Sequence, residues 1–255
     1  MLMEILCTFM VMSSFHFSHS EHMHESRTGL IIPLYDNSSS AWDELIMEKH
    51  RHPTMPVITI INPNNGPGQT IDSNYVQGVE NLQSGGIVVL GYVDTGYGSR
   101  NTTLVESEID SYKNWYGVNG IFFDEMANVP GMEHYYANLT TYVKTHDMTM
   151  TVGNPGVDTL PSYVGTVDNI VLYDNANLPP LQLFEGWHEN FKKNNFSFLS
   201  YGVDSIDRDH IKSLAKHVGY LYVTDQKGAN PWTVLPEYFN KLVKIVESSK
   251  LVVIK

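Results

Sequence analysis

Between residues 28 and 250 eight short runs of β-branched and aromatic residues alternate with helical or short helical segments. The runs are Leu30 to Tyr35, Val57 to Ile61, Ile87 to Val93, Ile121 to Phe123, Met148 to Val152, Asn169 to Tyr173, Phe196 to Tyr201 and Tyr220 to Val223. Between them lie apolar residues at helical spacing: Trp42, Leu45 and Ile46; Val76 and Val79; Leu104, Ile109 and Tyr112; Met132, Tyr135, Tyr136, Leu139 and Val143; Phe184, Trp187, His188 and Phe191; Ile206, Ile211, Leu214 and Ala215. A last helix has Pro236 in its first turn and Phe239, Leu242, Val243 and Val246 on its apolar face. Strands that alternate with helices pair in parallel through crossovers. Eight such units predict a single (β/α)₈ TIM barrel over residues 28–250. An open doubly wound sheet is the competing arrangement, but no glycine-rich phosphate loop follows an early strand.

In such a barrel the active site lies at the carboxyl ends of the strands. The fourth strand makes that rule informative. In Gly117-Val118-Asn119-Gly120-Ile121-Phe122-Phe123-Asp124-Glu125 an apolar run ends in two adjacent carboxylates. Charge at the exit of a buried strand is costly unless it faces a solvated cleft, although carboxylates also begin helices as caps. The other strand ends supply Tyr35, Asn62, Tyr92 with Asp94, Asn154, Asp174, Tyr201 with Asp204, and Thr224-Asp225. No Lys or Arg stands among them, so a phosphate or carboxylate ligand is disfavoured. Tyrosyl faces and amides suit a neutral polyhydroxylated ligand, and a carbohydrate cleft is expected.

Hydrolysis of a glycosidic bond needs two carboxyl groups in most enzymes. Consecutive residues on an extended strand face opposite sides, so Asp124 and Glu125 both reach the cleft only if the chain turns there. A third carboxylate is therefore wanted, and Asp174 can supply it. The candidate catalytic residues are Asp124, Glu125 and Asp174, with Tyr35, Asn62, Tyr92, Asp94, Asn154 and Tyr201 expected to bind substrate. Asp225 reads more simply as a helix cap. A metal-dependent barrel using Asp94, Asp124 and Glu125 is a further reading, weakened by the scarcity of histidine at strand ends. No cofactor or metal is expected.

Net charge is −12, with 28 acidic against 16 basic residues, which argues against nucleic acid as a partner. The single cysteine, Cys7, excludes an internal disulfide. Met1 to Ser20 contain an interrupted apolar patch from Ile5 to Phe17 that resembles a short signal-peptide core, although Glu4 stands where a positive residue is usual. It is too short and too interrupted for a transmembrane segment. Residues 1–27, which include His16, His19, His22 and His24, are read as a signal peptide and disordered leader. A secreted or cell-surface monomer is expected.

Three blocks carry a more specific likeness: Gly120-Ile121-Phe122-Phe123-Asp124-Glu125, Gly153-Asn154-Pro155-Gly156, and Val167 to Asp174. Together they resemble the spherulin-4, or spherulation-specific, family over residues 29 to 248. The resemblance implies a (β/α)₈ glycoside hydrolase, like the fungal secreted hydrolases of that family that cut galactosaminogalactan. It further implies that Asp124 and Glu125 match the family's acidic pair, and that Asp174 stands where the family has a catalytic glutamate. The polysaccharide substrate expected on this ground is rich in amino sugar. Because an aspartate is one methylene shorter, a polysaccharide-binding protein that has kept the cleft and lost activity is the alternative.

Overall fold

The computed structural model describes residues 27–36 and 39–249; the leader segment and its histidines lie outside the described residues. Eight parallel strands close into one barrel in chain order, with β1 returning to pair with β8. They are β1 (Gly29–Pro33), β2 (Val57–Ile61), β3 (Val88–Asp94), β4 (Gly120–Asp124), β5 (Met150–Asn154), β6 (Asn169–Ala176), β7 (Phe196–Tyr201) and β8 (Tyr220–Val223). Near-continuous apolar runs are what such strands require, because both faces are covered. Phe122, Phe123, Ile121, Ile31 and Leu221 are all essentially inaccessible.

Register assigns the two faces. Leu90↔Gly120, Tyr92↔Phe122 and Asp94↔Asp124 pair across β3 and β4, and Phe122↔Val152 and Asp124↔Asn154 across β4 and β5. Paired residues of parallel neighbours share a face, so these positions line the barrel interior. Gly120 begins this lining, where a Cβ would fall 1.9 Å from the Met150 carbonyl oxygen. Only glycine fits there.

Outside the barrel the described residues form six α-helices: α1 (Ser39–Arg51), α2 (Ser73–Ser84), α3 (Thr102–Ser111), α4 (Glu133–Thr145), α5 (Arg208–Leu214) and α6 (Phe239–Glu247). Asp72, Asn101 and Asp207 cap α2, α3 and α5 by accepting a backbone N–H with their side chains, each worth about 1 kcal/mol. Helix α6 buries Phe239, Leu242, Val243, Ile245 and Val246 against the barrel. Helix α3 runs into a π-turn, Tyr112–Tyr116, closed by Gly117 in the left-handed region at φ 62°. That glycine ends the helix and starts the approach to β4.

Three expectations are corrected. The segment around Phe184, Trp187, His188 and Phe191 is a chain of 3₁₀ turns, Leu181–Phe184, Gly186–Asn190 and Lys193–Asn195. Pro179-Pro180 ahead of it and Gly186 at φ 79° break any continuous helix. Edge-on packing of Trp187 on Phe191 and Phe196 holds the turns instead. The crossover after β5 likewise contains only the 3₁₀ turn Pro161–Tyr163. Finally, Leu104 and Met132 are 60% and 38% exposed; Val105 and Tyr136 take the inward positions on α3 and α4.

Candidate active site

The exit of β4 is where the chain departs from regular strand. Asp124 is the last strand residue, and Glu125 sits at φ 49°, in the left-handed region. For a non-glycine residue this conformation costs roughly 1–2 kcal/mol. It persists because the neighbours over-determine it. Thr95 N–H donates to the Asp124 carbonyl at 3.0 Å, Tyr97 N–H to the Glu125 carbonyl at 2.7 Å, and Met126 N–H to the Asn154 carbonyl at 2.9 Å. The buried Thr95 hydroxyl donates to both carbonyls at 2.9 Å. Tyr136 lies 3.0 Å from that hydroxyl and accepts the Ala127 N–H at 2.8 Å. The turn swings Glu125 to the same side as Asp124, beside the Asp94 carboxyl.

Across the mouth the side chains join strand to strand. Tyr92 on β3 donates its hydroxyl to Asp124 Oδ2 at 2.8 Å. Asn154 on β5 spends both amide protons, one on Asp124 Oδ1 at 2.8 Å and one on Asp174 Oδ2 at 2.9 Å. Two oxygens bonded to one nitrogen stand about 5 Å apart by ordinary hydrogen-bond geometry. The Asn154 carbonyl accepts the Gly156 N–H at 3.0 Å, which fixes which end of the amide faces the carboxyls. Asn154 is 5% exposed.

Asp174 owes its position to a β-bulge. Starting from Asn169, which pairs with interior Val152, strict alternation sends Asp174 to the outer face. Between Val171 and Tyr173 the register against β7 slips by one residue, and Asp174 then pairs with Leu199. The extra residue reverses the alternation and turns the carboxyl inward.

Protonation follows from these surroundings. Burial pushes Asp174 up to about 7, aided by Asp124 and opposed by the Asn154 amide. Burial also raises Asp124, but Tyr92, the Glu125 N–H and Asn154 all donate to it and pull it back towards the anion. Glu125 is raised by partial burial and by Asp94, whose carboxyl is in hydrogen-bonding reach, with Asp124 adding to the effect. All three carboxyls of the mouth are thus drawn towards the protonated form, Asp124 against the most hydrogen-bond donors.

The remaining predicted residues divide. Tyr35 packs edge-on against Tyr92, with ring centroids 5.8 Å apart, and burial followed by Asp124 and Asp174 raises its hydroxyl. Asp94 accepts the Gly96 N–H at 2.6 Å and is both loop anchor and neighbour of Glu125. Asn62 lies apart from the network and accepts the Gly66 N–H at 2.8 Å, closing its own loop. Tyr201 stacks edge-on against Trp232 at 5.9 Å. Asp225 accepts the Glu237 N–H at 3.1 Å on the approach to α6. Sequence reasoning passed over Thr95 and Tyr136, which hold the Glu125 turn; a threonine before Gly96-Tyr97-Gly98 was the available signal. Among the described residues no three His, Cys, Asp or Glu side chains converge to hold a metal ion, so the metal reading through Asp94, Asp124 and Glu125 lacks a site. No described helix is long and apolar enough to cross a membrane.

The profile of spherulation-specific family 4 matches residues 29–246. Spherulin-4 of Physarum polycephalum is 28% identical over 234 residues, covering 86% of this chain and 70% of that protein. Among solved structures, Aspergillus clavatus Sph3 in complex with GalNAc superposes with a TM-score of 0.78 at 24% identity, over 89% of this chain and all of that one. A fructose-1,6-bisphosphate aldolase-like protein from Coccidioides immitis, at 13% identity and a TM-score of 0.52, spans 89% of each chain and shares the barrel alone.

Proposed function

Because this chain belongs to spherulation-specific family 4, whose profile spans residues 29–246, we propose that it is a glycoside hydrolase cutting inside an amino-sugar polysaccharide of the galactosaminogalactan type. The carrying observation is the Asp124–Asn154–Asp174 bridge, with Glu125 turned in beside it. The GalNAc held by the Aspergillus clavatus structure supports the sugar class. A secreted or cell-surface location follows from the same reading and from the leader-like residues 1–27.

In this mechanism Glu125, whose carboxyl burial and then Asp94 draw towards the protonated form, donates its proton to the glycosidic oxygen as the bond to the anomeric carbon breaks. The Asp124 carboxylate, which Tyr92 and Asn154 favour as the anion by donating to it, faces the positive charge that develops at that carbon, and water then adds there, its proton returning to the Glu125 carboxylate. Asp174 orients Asn154 and hydrogen-bonds the sugar. Tyr35 and Tyr92 floor the cleft.

A second reading is a polysaccharide-binding protein with the same cleft and little turnover. It is favoured by the Asp174 side chain, one methylene shorter than a glutamate and held by the Asn154 amide at 2.9 Å. Incubation with galactosaminogalactan separates the two. The hydrolase releases oligosaccharides, and Glu125→Gln lowers that release by about 10²–10⁴-fold, the usual contribution of a general acid. Release unchanged in Glu125→Gln overturns the assignment, and binding without release favours the second reading.

A further inference from the structure

Tyr97 lies in the loop after β3, on the rim of the same mouth. Its side chain is 58% exposed, and it is the one tyrosine of the described residues in the exposed class. Most of the others bond their hydroxyls or pack ring on ring; the Tyr97 side chain makes neither contact. Its backbone is strained as well, at φ 55°, between Gly96 at φ 52° and Gly98 at φ 80°. An exposed large ring and a left-handed backbone are each unfavourable for tyrosine, and strain of this kind gathers at ligand-contacting sites.

The loop is tied to the site it overlooks. Tyr97 N–H donates to the Glu125 carbonyl at 2.7 Å, and Gly96 N–H to Asp94 Oδ1 at 2.6 Å. Met132, itself 38% exposed, packs so closely on Gly98 that a Cβ there would meet its Cγ and Sδ at 3.1 Å. Val129, on the same β4–α4 loop, is 58% exposed. Exposed Tyr97 and Met132 thus lie on adjoining loops of the rim, next to a carboxyl-lined cleft. A sugar residue presents the matching pair of surfaces, a C–H face and polar edges.

Resting on the hydrolase reading, we propose that Tyr97 is the stacking platform for a sugar residue flanking the cleaved bond, so that the protein takes an extended hexosamine polymer rather than a short glycoside. Kinetics on galactosaminogalactan oligosaccharides of increasing length test this, with Tyr97→Asn and Tyr97→Trp beside the unaltered chain. Asparagine tolerates the left-handed backbone, so the loop is kept while the ring is lost. Tyr97→Asn is expected to raise KM for long chains about tenfold, about 1.4 kcal/mol. kcat is expected to stay within about twofold, as for a residue that contributes uniform binding. Tyr97→Trp is expected to keep the low KM. An unchanged KM in Tyr97→Asn overturns the proposal, as does a loss confined to kcat, which would mean that the loop serves only to hold Glu125. Should the unaltered chain bind without cleaving, Kd replaces KM and the inference is judged apart from the hydrolase reading. A chain that neither binds nor cleaves overturns both.

Discussion

Strands β3 to β6 and strands β7 to β8 end in the same kinds of residue, yet the two halves of the mouth use them differently. On the first side Tyr92, Asp124, Asn154 and Asp174 bond to one another across strands. On the second, the partners lie in the loops beyond the strands: Asp204 pairs with Lys227 at 2.6 Å on the surface, Asp225 accepts from Gln226 and Glu237, and Tyr201 leans on Trp232. Charge follows the same division. Residues 1–191 carry 22 acidic and 6 basic side chains, whereas residues 192–255 carry 6 and 10. A carboxylate at a strand end is thus buried and shifted towards its protonated form when its partners are interior side chains of neighbouring strands. One whose partners come from the loops above stays at the surface as a fastener.

The contrast can be broken from either side. Asn154→Ala removes the bridge and leaves two buried carboxyls without their shared donor. Activity on polysaccharide should fall on the order of 10²-fold, the scale of lost positioning, and stability by roughly 1–3 kcal/mol, the usual penalty of an unsatisfied buried group. Oligosaccharide release and denaturant midpoints check both, and near-normal activity would mean that the bridge is only scaffolding. Asp174→Asn should act through pH. Because burial raises Asp174 to about 7, the folded state holds its proton more tightly than the unfolded state. Stability should therefore fall as pH rises from the ordinary carboxylate range to about 7 and level off above it. The substitution should flatten that slope, read from melting temperatures across the range. Asp225→Ala, on the fastening side, should cost about 0.5–1.5 kcal/mol as a lost hydrogen bond and leave turnover unchanged. A large loss of rate there would erase the distinction.

Much of this was legible in the residues. Val57 to Ile61, Phe196 to Tyr201 and Tyr220 to Val223 match their strands, because a strand buried on both faces must be apolar throughout. Asp124 and Glu125 could be placed at the mouth from strand order alone. What stayed hidden depends on single residues being out of phase. Nothing local to Val171-Leu172-Tyr173 announces the bulge that turns Asp174 inward, since all three residues suit a regular strand equally well. The left-handed Glu125 is likewise imposed from outside, by Thr95 and Tyr97. Asn62 is ambiguous in sequence for a related reason, because a strand-end amide that folds back to Gly66 reads the same as one that faces a ligand.

The slip in β6 gives that strand an arithmetic character. Whether Asp174 serves the cleft or the helical layer is a matter of odd or even count, decided by one residue. Straightening the bulge, with the same residues in regular alternation, would turn Asp174 to the helical layer and bring its neighbour to the cleft. One irregular position in one strand therefore decides which side chains this mouth presents, while the apolar faces that close the barrel stay the same.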